Sequence, residues 1–183
     1  MQLTQEQLDT LKAAIIASPT MAAARTAHDT QAITDLLNAS STLDVWRTSV
    51  STQVLFDQIT WANLTPAEAP NGTLDWQCRS LACQGKQFNL QLIFAGRDTI
   101  DASKSNVRAG LQDALTNIPS GLAGALVSAG WVGVRTAMIR KATVLESIFA
   151  NTQNTPASLV VEGAIDEMTI RRLGWSDLGV WQL

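Results

Sequence analysis

The side chains that could carry chemistry are few: one histidine, His28, two cysteines, Cys78 and Cys83, and the closely spaced carboxylates Asp98 and Asp101. A Ser-His-Asp triad would have His28 as its single candidate base, and the sequence holds no Gly-x-Ser-x-Gly elbow to offer it a serine. His28 lies in a polar stretch and reads as a solvated residue at a helix end. Cys78 and Cys83 lack a second cysteine pair and a histidine at ligand spacing, so they do not make a zinc site. Five positions apart on one helix, they are also too distant for a disulfide. They read as free thiols, Cys78 in an apolar stripe, which suits a reducing compartment. Asp98 and Asp101 flank Thr99 and Ile100 ahead of a helix, where Asp101 or Ser103 would cap free amides and complement the helix dipole. An acid pair would need an oxyanion or phosphate site beside it, and the sequence has neither a Walker loop nor a Gly-x-Gly-x-x-Gly turn. The residues thus assign no catalytic, cofactor-binding or metal-binding role.

The elements that would position these groups are mainly helical. Thr4 followed by Gln7 forms a capping box, Leu8, Leu11 and Ile15 repeat at helical spacing, and Ser18-Pro19 stops the helix. A second helix starts near Thr20 or Met21, and Asp29 or Thr30 caps a third with Ile33, Leu36 and Leu37 inside, so residues 1–40 read as short amphipathic helices. Val45 to Ile59 carries branched chains that favour a strand, yet its apolar spacing also fits a helix, which is the preferred reading. Thr65-Pro66-Ala67-Glu68 begins like a helix but Pro70-Asn71-Gly72 ends it, leaving a structured loop. Leu74, Cys78, Leu81, Gly85, Phe88 and Leu92 form one inward stripe up to a C-cap at Gly96.

Ser103 should cap the next helix, with Val107, Leu111, Ala114, Leu115 and Ile118 inward, Pro119 closing it and Ser120 able to restart one. Trp131, Val134, Met138, Leu145 and Phe149 predict a long helix to Asn151, completing a main helical bundle over 41–151. After the polar NTQNTP run, Leu159-Val160-Val161 predicts a short β-strand or extended arm near 157–163, then a helical turn or two around Ile165 to Leu173. The apolar GWSDLGVWQL ends residues 152–183 as a docking tail. The fold class is therefore mainly α, a helical bundle with a short strand or arm near 157–163 and an extended C-terminal tail, one structural domain overall and without internal repeats.

Thirteen basic against sixteen acidic residues give a net charge of -3, which argues against a module that grips duplex DNA through a large basic face. The opening MQLTQEQLDTLK lacks the basic and apolar regions of a signal peptide. The uncharged stretch from Ala114 to Val134 is interrupted by Asn117, Pro119, Ser120 and four glycines, so it reads as a turn feeding a buried helix, and no membrane partner is expected. Charge is uneven: Lys104 to Lys141 holds five bases and one acid, Ala142 to Leu183 five acids and two bases. Lys104 and Arg108 lie four apart on one helix face, either solvated or touching an acidic neighbouring subunit, and Arg140-Lys141 ends the predicted long helix. Trp46, Trp61, Trp76 and Trp131 read as core anchors of a kind also favoured at interfaces. With Trp175, Leu178, Val180 and Trp181 of the tail, Lys104 and Arg108 are the candidate interface residues.

Four segments carry a resemblance: VWRTSV at Val45 to Val50, ITWANLTP at Ile59 to Pro66, LACQGKQFNLQ at Leu81 to Gln91, and SKSNVRAGLQDALTNIPSG at Ser103 to Gly121. They resemble a group of small proteins encoded by tailed bacteriophages and prophages, from the first helix through Phe149 to Gly163. Among virion morphogenesis proteins the chain is similar to head-to-tail adaptors, whereas its last segment, MTIRRLGWSDLGVWQL, departs from the likeness. The resemblance implies a non-enzymatic homo-oligomeric ring, commonly of twelve copies, in the virion neck between head and tail, assembled in the host cytoplasm. Its expected partners are the phage portal protein, a downstream neck or tail protein, and DNA passing through the channel without specific binding. Other virion roles, such as tail terminator or capsid-associated protein, remain the alternative, with a β-rich fold expected for them. A small cytosolic enzyme using His28, Asp98 or Asp101 and a helical DNA binder using the Lys104 to Lys141 patch rank below both.

Overall fold

A computed structural model describes residues 2–64, 81–120, 125–174 and 178. In chain order its elements are α1 (Gln5–Ala17), α2 (Ala22–Thr26), α3 (Thr30–Asn38), β1 (Ser40–Trp46), β2 (Val50–Ser51), α4 (Thr52–Gln58) and α5 (Leu81–Phe94). There follow β3 (Thr99–Ile100), α6 (Ser105–Leu115), β4 (Ile118–Ser120), β5 (Ala125–Val127), α7 (Trp131–Ala137), β6 (Ile139–Thr143), α8 (Val144–Phe149) and α9 (Glu167–Leu173). The chain is mainly α, and among the described residues the strands pair two at a time, β1 with β6, β2 with β3 and β4 with β5. It divides into two compact units, one made of Met1–Val45 with Lys141–Leu183, the other of Trp46–Arg140.

The first unit follows its capping signals. Thr4 accepts from Gln7 N at 3.3 Å while the Gln7 side chain accepts from Thr4 N at 2.9 Å, and Leu11 and Ile15 are buried as their spacing predicts. Asp29 caps α3 through Ala32 N at 2.8 Å, and Ile33 and Leu37 join Leu11, Ile15, Leu145, Ile170 and Leu173 in one core. Asn38 ties this core to the far end of the chain, donating to Ile165 O at 2.9 Å and accepting from Ile165 N at 3.0 Å. The arm is present as two bridges, Val45 with Ala157 and Asn151 with Ser158, behind a cis Thr155-Pro156 bond. Glu146, 1% exposed, accepts from Thr143 N at 2.8 Å and from Gly163 N at 3.0 Å, so one carboxylate closes the α8 cap and holds the arm.

The start of α9 is acid-sensitive. Asp166 accepts from Thr169 N at 2.7 Å and from its hydroxyl at 2.8 Å, and these bonds hold its carboxyl below the ordinary value of 3.8. Glu167 is held below 4.5 first by the Thr30 hydroxyl of α3 and then by Arg171 at 2.8 Å. Both folded-state values are depressed, so their contribution is complete above pH 4.5 and is lost as pH falls through the lower folded values. Because Asp166 is exposed and Glu167 only half-buried the effect is modest. An acid titration of thermal stability should fall less steeply for the Asp166→Asn, Glu167→Gln variant than for the parent; equal slopes would refute the assignment.

The second unit and the residues flanking it depart from the sequence reading in five places. Val45 to Ile59 is not one helix: β1 runs through Trp46, β2 pairs antiparallel with β3 (Val50 opposite Ile100), and helix begins at Thr52. Val45 and Val50 take the extended conformation their branched side chains favour, whereas Thr52 and Val54 are helical in α4. The stripe expected to face inward on α5 faces out. Phe88 and Leu92 are 59% and 55% exposed, Gly85 opens on empty space, and the buried residues are Cys83, Leu90 and Phe94; Leu74, Cys78 and the 65–68 loop lie outside the described residues. The helix carries two apolar stripes, and the one with Leu90, the flanking Ile93 and Phe94 buries more apolar area, with Phe94 packed 4.6 Å from Phe56. Cys83 is a buried thiol that donates to Leu64 O at 3.4 Å.

Lys104, not Ser103 or Asp101, occupies the α6 cap position, because the Asp101 carboxylate turns back on Ser103, accepting from its N at 2.9 Å and from its hydroxyl. Leu111, Ala114 and Leu115 are buried as expected, but Ile118 to Ser120 form β4, paired with β5 (Ile118 opposite Val127), instead of ending one helix and restarting another. The long helix from Trp131 to Asn151 is absent. α7 stops after about two turns at Ala137, the branched Ile139 to Thr143 segment is a strand, and Thr143 in extended conformation caps α8 with Glu146 in a second capping box.

Candidate interaction surface

Trp46 ends β1 inside the core of the second unit, 8% exposed. The Arg108 guanidinium from α6 lies over its ring at 4.4 Å and that of Arg135 from α7 at 5.6 Å. Arg108 also donates to Ala102 O and Ser103 O, both at 2.7 Å. Burial lowers the pKa of Arg108, with Asp101 pulling the other way, yet an arginine remains charged throughout the physiological range. Arg108 is thus held by an indole and two carbonyls, whereas Lys104 is exposed and only 3.9 Å from the Asp101 carboxylate. Of the expected Lys104–Arg108 pair, Lys104 is exposed and Arg108 partly buried.

Of the tail, Leu178 is 1% exposed and packs in the core of the first unit, its carbonyl accepting from Arg25 at 3.3 Å. Leu178 is therefore an anchor within its own unit. Trp175, Val180 and Trp181, like Trp76, lie outside the described residues. Trp131 is partly buried against the second core, and Trp61 is 49% exposed.

Uncovered apolar surface lies elsewhere. On the second unit Phe88 and Leu92 stand one turn apart on the outer face of α5, beside Gly85. On the other side of that helix Phe56, Trp61, Leu64, Leu90 and Phe94, with Gln87 and Gln91, line a cavity of about 410 Å³. On the first unit Val160 is 69% and Met168 58% exposed. Charge divides along the same boundary. Trp46–Arg140 holds eight bases and six acids, net +2, and the rest of the chain five bases and ten acids, net -5. Composition showed this unevenness but not its coincidence with a structural boundary. The outer face of α5 was missed, and its one signal was the absence of any carboxylate between Leu81 and Arg97.

The residues first considered for chemistry are dispersed. His28 is exposed just after α2 with φ +53°, and His28 N bonds Arg25 O at 3.1 Å. Asp98 contributes its carbonyl to Thr52 N at 2.9 Å, and Asp101 is spent on Ser103. None of these lines the 410 Å³ cavity. Among the described residues no three histidine, cysteine or carboxylate side chains gather as a metal site, and no helix is long and apolar enough to cross a membrane. Compared with models of known protein families, with curated proteins and with solved structures, the chain matches none.

Proposed function

We propose that this chain is a structural, non-enzymatic subunit of a tailed-bacteriophage virion, forming the head-to-tail adaptor ring that docks on the portal and extends the DNA channel to the tail. The observation that supports self-assembly is the uncovered Phe88–Leu92 face on a positively charged unit, in a chain whose other unit is strongly acidic. Unlike faces on one subunit make head-to-tail contacts, and such contacts close into rings when the rotation between copies divides a full turn. The phage setting rests on the sequence resemblance. A net negative chain suits a channel wall, because counterion release on a basic surface would hold DNA in place. The mainly helical fold favours an adaptor over the tail-terminator alternative, for which a β-rich fold is expected. Docking on the portal is assigned to Lys104 and to the tail residues Trp175, Val180 and Trp181, which follow or flank the anchored Leu178.

Mixing the chain with its candidate portal tests this directly by light scattering and electron microscopy. The expected result is a ring stacked on the portal's tail-facing end. A chain that stays monomeric and leaves the portal bare would remove the adaptor reading.

A further inference from the structure

We infer that the Nε–Nη2 edge of Arg108, with Arg135 beside it, is a binding site for a phosphate dianion. Arg108 is fixed through one nitrogen and through its face. Nη1 donates to Ala102 O and Ser103 O, both at 2.7 Å, and Cζ lies 4.4 Å from the centroid of the Trp46 ring. Nε and Nη2 have no acceptor among the described residues, and neither is buried from solvent. The hydrogens on that edge point the same way and form the planar fork that takes two oxygens of one oxyanion, and the ring and the carbonyls have already ordered it. Arg135 is exposed, and its Cζ lies 5.6 Å from the same centroid, so the two guanidinium carbons are no farther apart than those two distances together. Neither arginine forms an ion pair among the described residues.

Nearby charge does not fill the site. The segments that carry these groups, 46–49, 101–108 and 131–140, hold Arg47, Lys104, Arg108, Arg135 and Arg140 against one acid, Asp101. Arg140 has contacts of its own and is not counted in the site. Asp101 places one carboxylate oxygen on Ser103 and the other 3.9 Å from Lys104, and burial lowers the Arg108 pKa by more than Asp101 raises it. Asp44, two residues before Trp46, is paired with Lys141 at 2.9 Å. A carboxylate or a phosphodiester has two free oxygens and one charge, which the Arg108 fork alone would occupy. A phosphate dianion, inorganic or at the end of a monoester, adds a second charge and a third oxygen for Arg135, and so matches two guanidiniums on one ring.

The test is phosphorus NMR of inorganic phosphate titrated with the full chain at constant ionic strength. Saturating line broadening is expected, with a dissociation constant on the order of millimolar. Arg108→Lys, which keeps the charge but not the fork, and Arg135→Gln should each weaken binding about tenfold. Arg97→Gln removes an exposed base just after α5 and should leave binding unchanged. Circular dichroism verifies folding, and Arg135→Gln, a change to an exposed side chain, carries the test if Arg108→Lys fails it. Displacement by methyl phosphate would identify a monoester as a ligand of the site; phosphate that methyl phosphate leaves in place would make the free ion the ligand. A ring on the portal is read without phosphate, so the adaptor reading stands or falls separately. Absence of saturation, equal weakening by Arg97→Gln and Arg135→Gln, or binding of acetate or of an oligothymidylate lacking terminal phosphates as tightly as phosphate would each overturn the site.

Discussion

Gly130→Ala should destabilise the Trp46–Arg140 unit by about 4 kcal/mol, at the upper end of single-substitution effects. Gly130 sits at φ +89° just before α7, and a Cβ there would lie far inside contact distance of the Gln58 carbonyl oxygen and 3.1 Å from Thr60 N. Neither atom is free to give way. Gln58 ends α4, and Thr60 N is bonded to Ala129 O at 3.1 Å, with Ala129 N bonded in turn to Leu115 O at 2.8 Å. The substitution therefore adds a backbone clash to the left-handed strain of roughly 1–2 kcal/mol that any L-residue meets at such φ. Gly96→Ala is the control. Its φ is +66° but nothing lies within 4 Å of the added carbon, so it should cost only about 1 kcal/mol. Denaturant unfolding of the two variants measures the difference, and equal losses would refute the close-approach argument.

Trp46→Ala should cost a similar amount, about 4 kcal/mol, since it removes a buried aromatic side chain from the core. The loss has a second component. With the indole gone, Arg108 keeps its two carbonyl bonds but loses the ring face 4.4 Å away, and Arg135 loses its own stacking partner. A double-mutant cycle with Arg108→Met separates the parts, with an expected coupling of about 1–2 kcal/mol between Trp46 and Arg108. Trp46→Phe keeps a ring and should retain part of that coupling. A cycle that closes with no coupling would show that the contact is geometric only.

Local signals were the legible part of this sequence. Thr4 with Gln7 and Asp29 ahead of α3 name their helix starts because a cap is a contact between residues three apart. Thr143 with Glu146 carries the same signal and was overlooked, since Val134, Met138, Leu145 and Phe149 keep a helical spacing across a strand that they do not share. Spacing specifies that a stripe exists and is silent on which side of it meets a core. On α5 both sides are apolar, and the choice was made by Phe56 and by the elements packed around it, far away in sequence. The same holds for Arg108, a surface cation by composition, which Trp46 draws inward from another element. The candidate surface was thus half visible: the uneven charge could be counted, but the face of α5 that carries it could not be chosen without tertiary contacts.

The threading of the chain sets an order of events on the ribosome. Residues 46–140 are a continuous run and can complete their core as soon as they emerge, whereas α1, α2 and α3 emerge before that run and wait for Leu145, Ile165, Ile170 and Leu173, which are made after it. At translation rates of about 5–20 residues per second the wait lasts roughly 5–25 s. During it Leu11, Ile15, Ile33 and Leu37 lack half of their partners, so this segment needs a chaperone longer, and becomes resistant to proteases later, than the 46–140 run made after it.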